Sequence, residues 1–84
     1  MLSPTLSLVQ LSRDARAVVQ AVDWQSLSLP EARRLRELGL DEGVAVEMVH
    51  RSTLGGGPIA CRIGRMTIAI RRHVARAIHV APAT

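Results

Sequence analysis

From Gly43 to Ile70 the chain reads GVAVEMVHRSTLGGGPIACRIGRMTIAI, and within it the apolar positions fall into alternating runs. Val44, Val46 and Met48 alternate with Ala45, Glu47 and Val49. Ile59, Cys61 and Ile63 alternate with Ala60 and Arg62, and Met66, Ile68 and Ile70 with Thr67 and Ala69. Successive side chains of a strand point to opposite faces, so each run predicts a strand with one face buried. The first runs to His50 or Arg51. Ser52 to Pro58, with Gly55-Gly56-Gly57 inside it, is expected to be a hairpin loop, and Gly64-Arg65 to turn the chain once more. The result is an antiparallel meander.

Outward from the meander, Ser28 to Gly39 carries the clearest helix signal. Ser28 and Glu31 stand at capping-box spacing, and Pro30 falls in the first turn, where its missing N–H is not needed. Ala32, Leu35 and Leu38 recur every third residue on one face, and Gly39 is placed to end the helix in a left-handed conformation. Further upstream, Arg13-Asp14 suits a turn, Arg16 to Val22 is β-branched enough for a first strand, and Asp23 to Leu29 has no period and reads as a loop. Past Ile70, Arg71 to Ala75 suits one helical turn, and Ala77 to Val80 a closing strand stopped by Pro82. Met1 to Thr5 reads as a loose terminus, with Leu6, Leu8, Val9 and Leu11 docked on the domain edge. The expected fold is mainly β: a small, partly closed barrel of about five strands, which hides its sheet edges. One short helix follows the first strand, and a short helical turn precedes the last.

At 84 residues the chain holds one core, so a single domain is expected, packed over about 8–80, with terminal segments 1–7 and 81–84. Apolar residues at 48% and charged residues at 21% exclude general disorder. The net charge is +4, and all eleven basic residues are arginine. A solvated basic surface is the simple meaning of that charge, and contact with nucleic acid the sharper one. Trp24 is the sole aromatic, which counts against folds that stack bases on aromatic platforms. The longest uncharged run, Met1 to Ser12, is too short and too polar to cross a membrane and lacks the basic start of a secretory leader. A soluble, cytosolic protein with no membrane insertion is expected.

The residues that carry chemistry are few. Ser, His and Asp are present, but no nucleophile motif surrounds any of them, so no enzyme is expected. Cys61 shares a strand face with Ile59 and Ile63 and reads as a core thiol. As the only cysteine it makes no intrachain disulfide. His50, His73 and His79 are the candidate metal ligands, yet none stands three or four residues from a second ligand. The triple glycine precedes a strand, whereas a phosphate loop precedes a helix. The arginine-bearing helix lacks the second long helix of a helix-turn-helix.

Three segments in order carry a resemblance. Arg34-Leu35-Arg36-Glu37-Leu38-Gly39-Leu40-Asp41-Glu42-Gly43 resembles the R-L-x-E-L-G-L-x-x-G segment of the FeoA family, ferrous iron transport protein A. Leu54-Gly55-Gly56-Gly57-Pro58-Ile59 is similar to its L-G-D-P-I hairpin. Ile68-Ala69-Ile70-Arg71-Arg72, with Ala75, Ile78 and Val80, is similar to its closing L-x-L-R-R-x-x-A-x-x-I-x-V. The hairpin here has one residue more and Gly where the family has Asp, and His73-Val74 replaces an acidic pair.

The resemblance implies an SH3-like β-barrel and a cytosolic accessory of ferrous iron uptake, without catalysis and without a resident cofactor, any divalent metal being adventitious. Its implied partner is FeoB, a membrane permease with a GTPase domain, whose nucleotide cycle or gate the docked chain would bias. Iron-dependent repressors of the diphtheria toxin repressor type carry related domains. Leu35, Leu38, Leu40 and Leu54 are the candidate docking residues, with plain core packing the alternative for Leu35 and Leu38. Trp24 stands between the same two roles. A small basic nucleic-acid-binding barrel and a metal-responsive domain using His50, His73 or His79 are the rival readings. Self-association through Leu6 to Leu11 is left open.

Overall fold

In the computed structural model, which describes residues 6–51 and 56–83, every alternating run is a strand. The strands are β1 (Leu6–Ser7), β2 (Arg16–Val22), β3 (Ala45–His50), β4 (Ile59–Ile63), β5 (Met66–Ile70) and β6 (Ile78–Pro82). The helices are α1 (Leu29–Glu37) and α2 (Arg72–Arg76), and single 3₁₀ turns lie at Leu8–Gln10 and Trp24–Ser26. Among the described residues no helix is long and apolar enough to cross a membrane.

The strands form one antiparallel sheet in the order β1-β6-β2-β3-β4-β5. Register aligns the buried rows: Met48 of β3 lies opposite Cys61 of β4, which lies opposite Ile68 of β5. On the outer face the paired residues Glu47 and Arg62 approach to 3.7 Å, an exposed ion pair of small energetic weight. Buried residues of β2 to β6 belong to a single cluster, with Leu6 of β1 packed against it, so the sheet wraps around one core. The register shifts between Val19 and Ala21 and again between Met48 and His50. Such bulges bend a strand and increase its twist, which a small wrapped sheet requires.

The N-terminal segment departs from expectation. Leu8, Val9 and Leu11 are buried core residues, not an apron on the domain edge. Ahead of them Leu6 and Ser7 pair with Val80 and His79, adding a sixth strand to the expected five. The reason is the last strand, β6, which β2 covers on one side and which needs a partner on the other. Of the segment Leu6 to Leu11, Leu8, Val9 and Leu11 lie inside the core, Leu6 is half-buried and Gln10 exposed. Pro82 is the final residue of β6, paired with Ala17, where a missing donor does little harm. Met66, expected on the buried face with Ile68 and Ile70, is 48% exposed because it opens β5 right after the Gly64-Arg65 turn.

The ends of α1 follow the sequence signals closely. Ser28 Oγ accepts from the Glu31 N–H at 3.2 Å, and Glu31 Oε1 accepts from the Ser28 N–H at 2.9 Å. At the other end the Gly39 N–H donates to the Arg36 carbonyl, and the Leu40 N–H to the Leu35 carbonyl, which is the Schellman pattern. Gly39 has φ +81°, the left-handed conformation this cap requires. Leu35 and Leu40, bonded to each other through the backbone, are both buried, so the cap also pins the helix exit to the core.

Candidate functional site

Two short helices and one sheet edge enclose a concavity of the surface. Alpha-helical spacing brings Glu31, Leu35 and Leu38 of α1 and its exit to one side of it, with Arg34 beside them. Ala69 and Ile70 at the end of β5 and Val74 of α2 form the opposite side, and Pro58 and Arg71 complete a groove of about 550 Å³. Leu35, Ile70 and Val74 are core residues whose edges form its floor, whereas Leu38 is half-buried and Ala69 exposed. Among the described residues the lining is apolar below, with Glu31, Arg34 and Arg71 as its polar members.

The helices are tied together across this groove. His73 Nε2 of α2 lies 2.5 Å from Glu31 Oε2 of α1. The Glu31 carboxyl is held below its ordinary value, first by the Ser28 N–H and then by His73. One side chain therefore caps α1 with one oxygen and holds α2 with the other.

A second concavity, about 440 Å³, adjoins the first and shares Pro58 and Arg71 with it. Arg72, His73 and Arg76 of α2 line it, with Gly56. Among the described residues no carboxylate forms an ion pair with Arg71, Arg72 or Arg76. The Nε of Arg72 is buried and has no hydrogen-bond partner.

On another face of α1, the Arg36 guanidinium sits 4.3 Å from the centroid of the Trp24 ring. Trp24 is half-buried and packs against the core, and nearby Leu29, at the first position of α1, is 81% exposed.

The sequence-derived candidates separate accordingly. Leu35 and Leu40 are 3% and 0% exposed and belong to the core, so neither offers a partner an exposed apolar surface. Periodicity could not separate them from Leu38, because all three follow the apolar face of one helix and its exit. Of the three that are described, Leu38 is the one placed in the groove wall with area to spare. Leu54 lies outside the described residues. His50 ends β3 on the surface, His73 faces Glu31, and His79 sits half-buried in β6 opposite Ser7 and Ala21. Among the described residues no three His, Cys, Asp or Glu side chains come together to hold a metal ion. Cys61 is fully buried, and burial pushes its thiol up to about 11, so it is a packing residue. Sequence reasoning missed Ala69, Val74 and the joint role of Arg71, Arg72 and Arg76. The last three were legible only as charge, with i, i+4 spacing between Arg72 and Arg76 as the available hint.

With this geometry in place, the chain can be compared with known proteins. A family model, the FeoA domain, matches residues 6–82. Among solved structures, the chain is similar to Stenotrophomonas maltophilia FeoA complexed with zinc, described as a prokaryotic SH3 domain protein. It is 35% identical over 89% of this chain and 88% of that one, with a TM-score of 0.75. FeoA from Chlorobium tepidum is 29% identical, over 94% of this chain and 71% of that one, with a TM-score of 0.82. A manganese-dependent transcriptional repressor superposes with a TM-score of 0.85 at 17% identity, covering 99% of this chain and 44% of that one, which shows a shared fold. No curated protein matches the chain.

Proposed function

The chain belongs to the FeoA family of ferrous iron transport, and from that premise we propose that it is a non-enzymatic accessory of iron uptake. It works in the cytosol by docking on the FeoB permease and its GTPase domain, biasing the nucleotide cycle or the gate. The groove between α1, β5 and α2 is the docking surface.

The observation that supports this reading is the groove's build. Its floor is made by residues that already belong to the core, so it is shaped before any partner arrives. A partner side chain entering it removes water from Leu38 and Ala69 as well as from itself, each buried Å² of apolar surface contributing about 25 cal/mol. The Stenotrophomonas maltophilia relative is described as a candidate activating factor of ferrous iron transport.

Binding of this chain to full-length cognate FeoB in lipid nanodiscs, with and without GTP, tests the reading. The wild type is expected to bind, and Ala69→Glu, which places a charge on the groove wall at an exposed position, to weaken binding about tenfold or more. Leu29→Ser, on the other face of α1, is expected to bind like wild type. Circular dichroism verifies that each variant is folded. Absence of wild-type binding up to about 100 μM, a level that corresponds to little more than 5 kcal/mol, would sink the accessory role.

A further inference from the structure

We infer that the groove accepts an extended acidic segment of a protein partner. One apolar side chain of the segment sits between Leu38, Ala69 and Val74, and carboxylates that neighbour it in sequence bind Arg71, Arg72 and Arg76. The inference rests on the docking reading for the location of the site, and it adds the chemistry of what fills it.

Four observations combine. The apolar groove and the arginine-lined concavity are contiguous, sharing Pro58 and Arg71, so one ligand can span both. The three guanidiniums have no carboxylate partner among the described residues. A guanidinium presents several N–H donors in a fixed fork that fits a carboxylate with two parallel bonds. Glu31, the acid among the described residues lining the two concavities, is already engaged by Ser28 and His73, so it does not neutralise the cluster. Finally, β5, which contributes Ala69 and Ile70 to the groove, is the last strand of the sheet and has a strand neighbour on one side only. Its outer backbone groups can pair with an extended peptide, as in recognition by strand addition.

These features favour a peptide over other anions. Inorganic phosphate or a nucleic-acid backbone would use the arginines alone and leave the apolar half and the strand edge empty. Single-stranded nucleic acid would also seek large aromatic rings for its bases, and the sole Trp, Tyr or Phe, Trp24, lies under Arg36.

The test starts from an unbiased pool. A phage-displayed random dodecapeptide library is selected on the full-length wild-type chain and counter-selected on the R71Q/R72Q/R76Q variant. Enriched sequences are expected to carry two or more Asp or Glu beside a Leu, Ile, Val or Met. Synthetic peptides of those sequences should bind about tenfold more weakly to R71Q or R76Q, both at exposed positions, and lose affinity steeply as salt rises. Their binding should shift the backbone amide resonances of Thr67, Ala69 and Arg71. Enrichment of neutral or basic peptides, survival of none after counter-selection, or shifts confined to Trp24 and Leu29 would overturn the proposal. So would inorganic phosphate or a single-stranded oligonucleotide that binds as tightly as the peptides. These readouts do not involve FeoB. Failure of FeoB to bind therefore leaves them standing, whereas FeoB binding that survives R71Q/R72Q/R76Q overturns the acidic segment alone.

Discussion

Glu31 and His73, forty-two positions apart in sequence, meet carboxylate to imidazole at 2.5 Å and join α1 to α2. The same carboxylate completes the capping box of α1 through its other oxygen. Helix initiation and the spacing of the two helices thus depend on one side chain. An acid in place of His73 would turn this clasp into a repulsion.

That arrangement sets a pH dependence. The folded state holds the Glu31 carboxyl below its ordinary 4.5, so the unfolded chain takes up the proton first as pH falls. The stabilisation is present above the unfolded value and is lost as pH drops through the folded one. In thermal melts from about pH 6 downward, wild type should exceed Glu31→Gln in Tm at the upper end, and the difference should shrink as the solution is acidified below the unfolded value. A difference that grows on acidification would contradict the assignment.

Ser28 accounts for the remaining half of the cap. Ser28→Ala leaves the Glu31 N–H without its side-chain acceptor, and losses of this kind cost about 1 kcal/mol. In a domain of this size that corresponds to a fall in Tm of about 4–8 °C, readable by calorimetry. Ser28→Asp should recover most of it.

At the opposite end of α1, Gly39→Ala should destabilise by about 1–2 kcal/mol. An added Cβ meets nothing within 4 Å, so the cost is backbone conformation and not collision. Gly39→Asn, which tolerates φ above zero, should cost less. Chemical denaturation separates the two, and equal losses would argue against the conformational account.

Leu40 and Leu38 should part company on truncation. Leu40 is fully buried, and Leu40→Ala should cost about 2–5 kcal/mol, enough to unfold much of so small a protein near 37 °C. Leu38→Ala should be milder in denaturant and should instead weaken docking on FeoB. The reverse pattern would move the docking surface off the groove.

Cys61 supplies a probe of global opening. With its thiol pushed up to about 11 and no exposed surface, it should resist alkylation at neutral pH until the fold opens. Labelling in urea should follow the unfolding curve seen by circular dichroism. Rapid labelling of the native protein would mean that β4 opens separately.

Much of the fold was legible because local chemistry and tertiary need coincide. The rows Met48, Cys61 and Ile68 alternate in sequence because they face one core, and Ser28, Glu31 and Gly39 mark helix ends by chemistry that acts within a few residues. The bulge near Gln20 was not legible. It moves the buried phase of β2 from Ala17 and Val19 to Val22, and the cause lies in the partner strand β6. Strand β1 was missed for a related reason: two residues carry no period, and their pairing is decided by Val80 and His79. The groove was legible only in fragments. Leu38 and the arginines stood out singly, but their juxtaposition arises where β5 ends, and nothing at Arg71 in the sequence points to Arg34.

The position of Trp24 has an experimental consequence. With no tyrosine or phenylalanine in the chain, its ultraviolet emission comes from one indole at one known place, immediately upstream of α1. Arg36, riding on that helix, covers the ring at 4.3 Å. Any displacement of α1 by a bound partner slides the cation across the indole and alters its fluorescence. The protein thus carries an intrinsic, label-free optical gauge of its own helix, on the side of α1 that a ligand in the groove would leave clear.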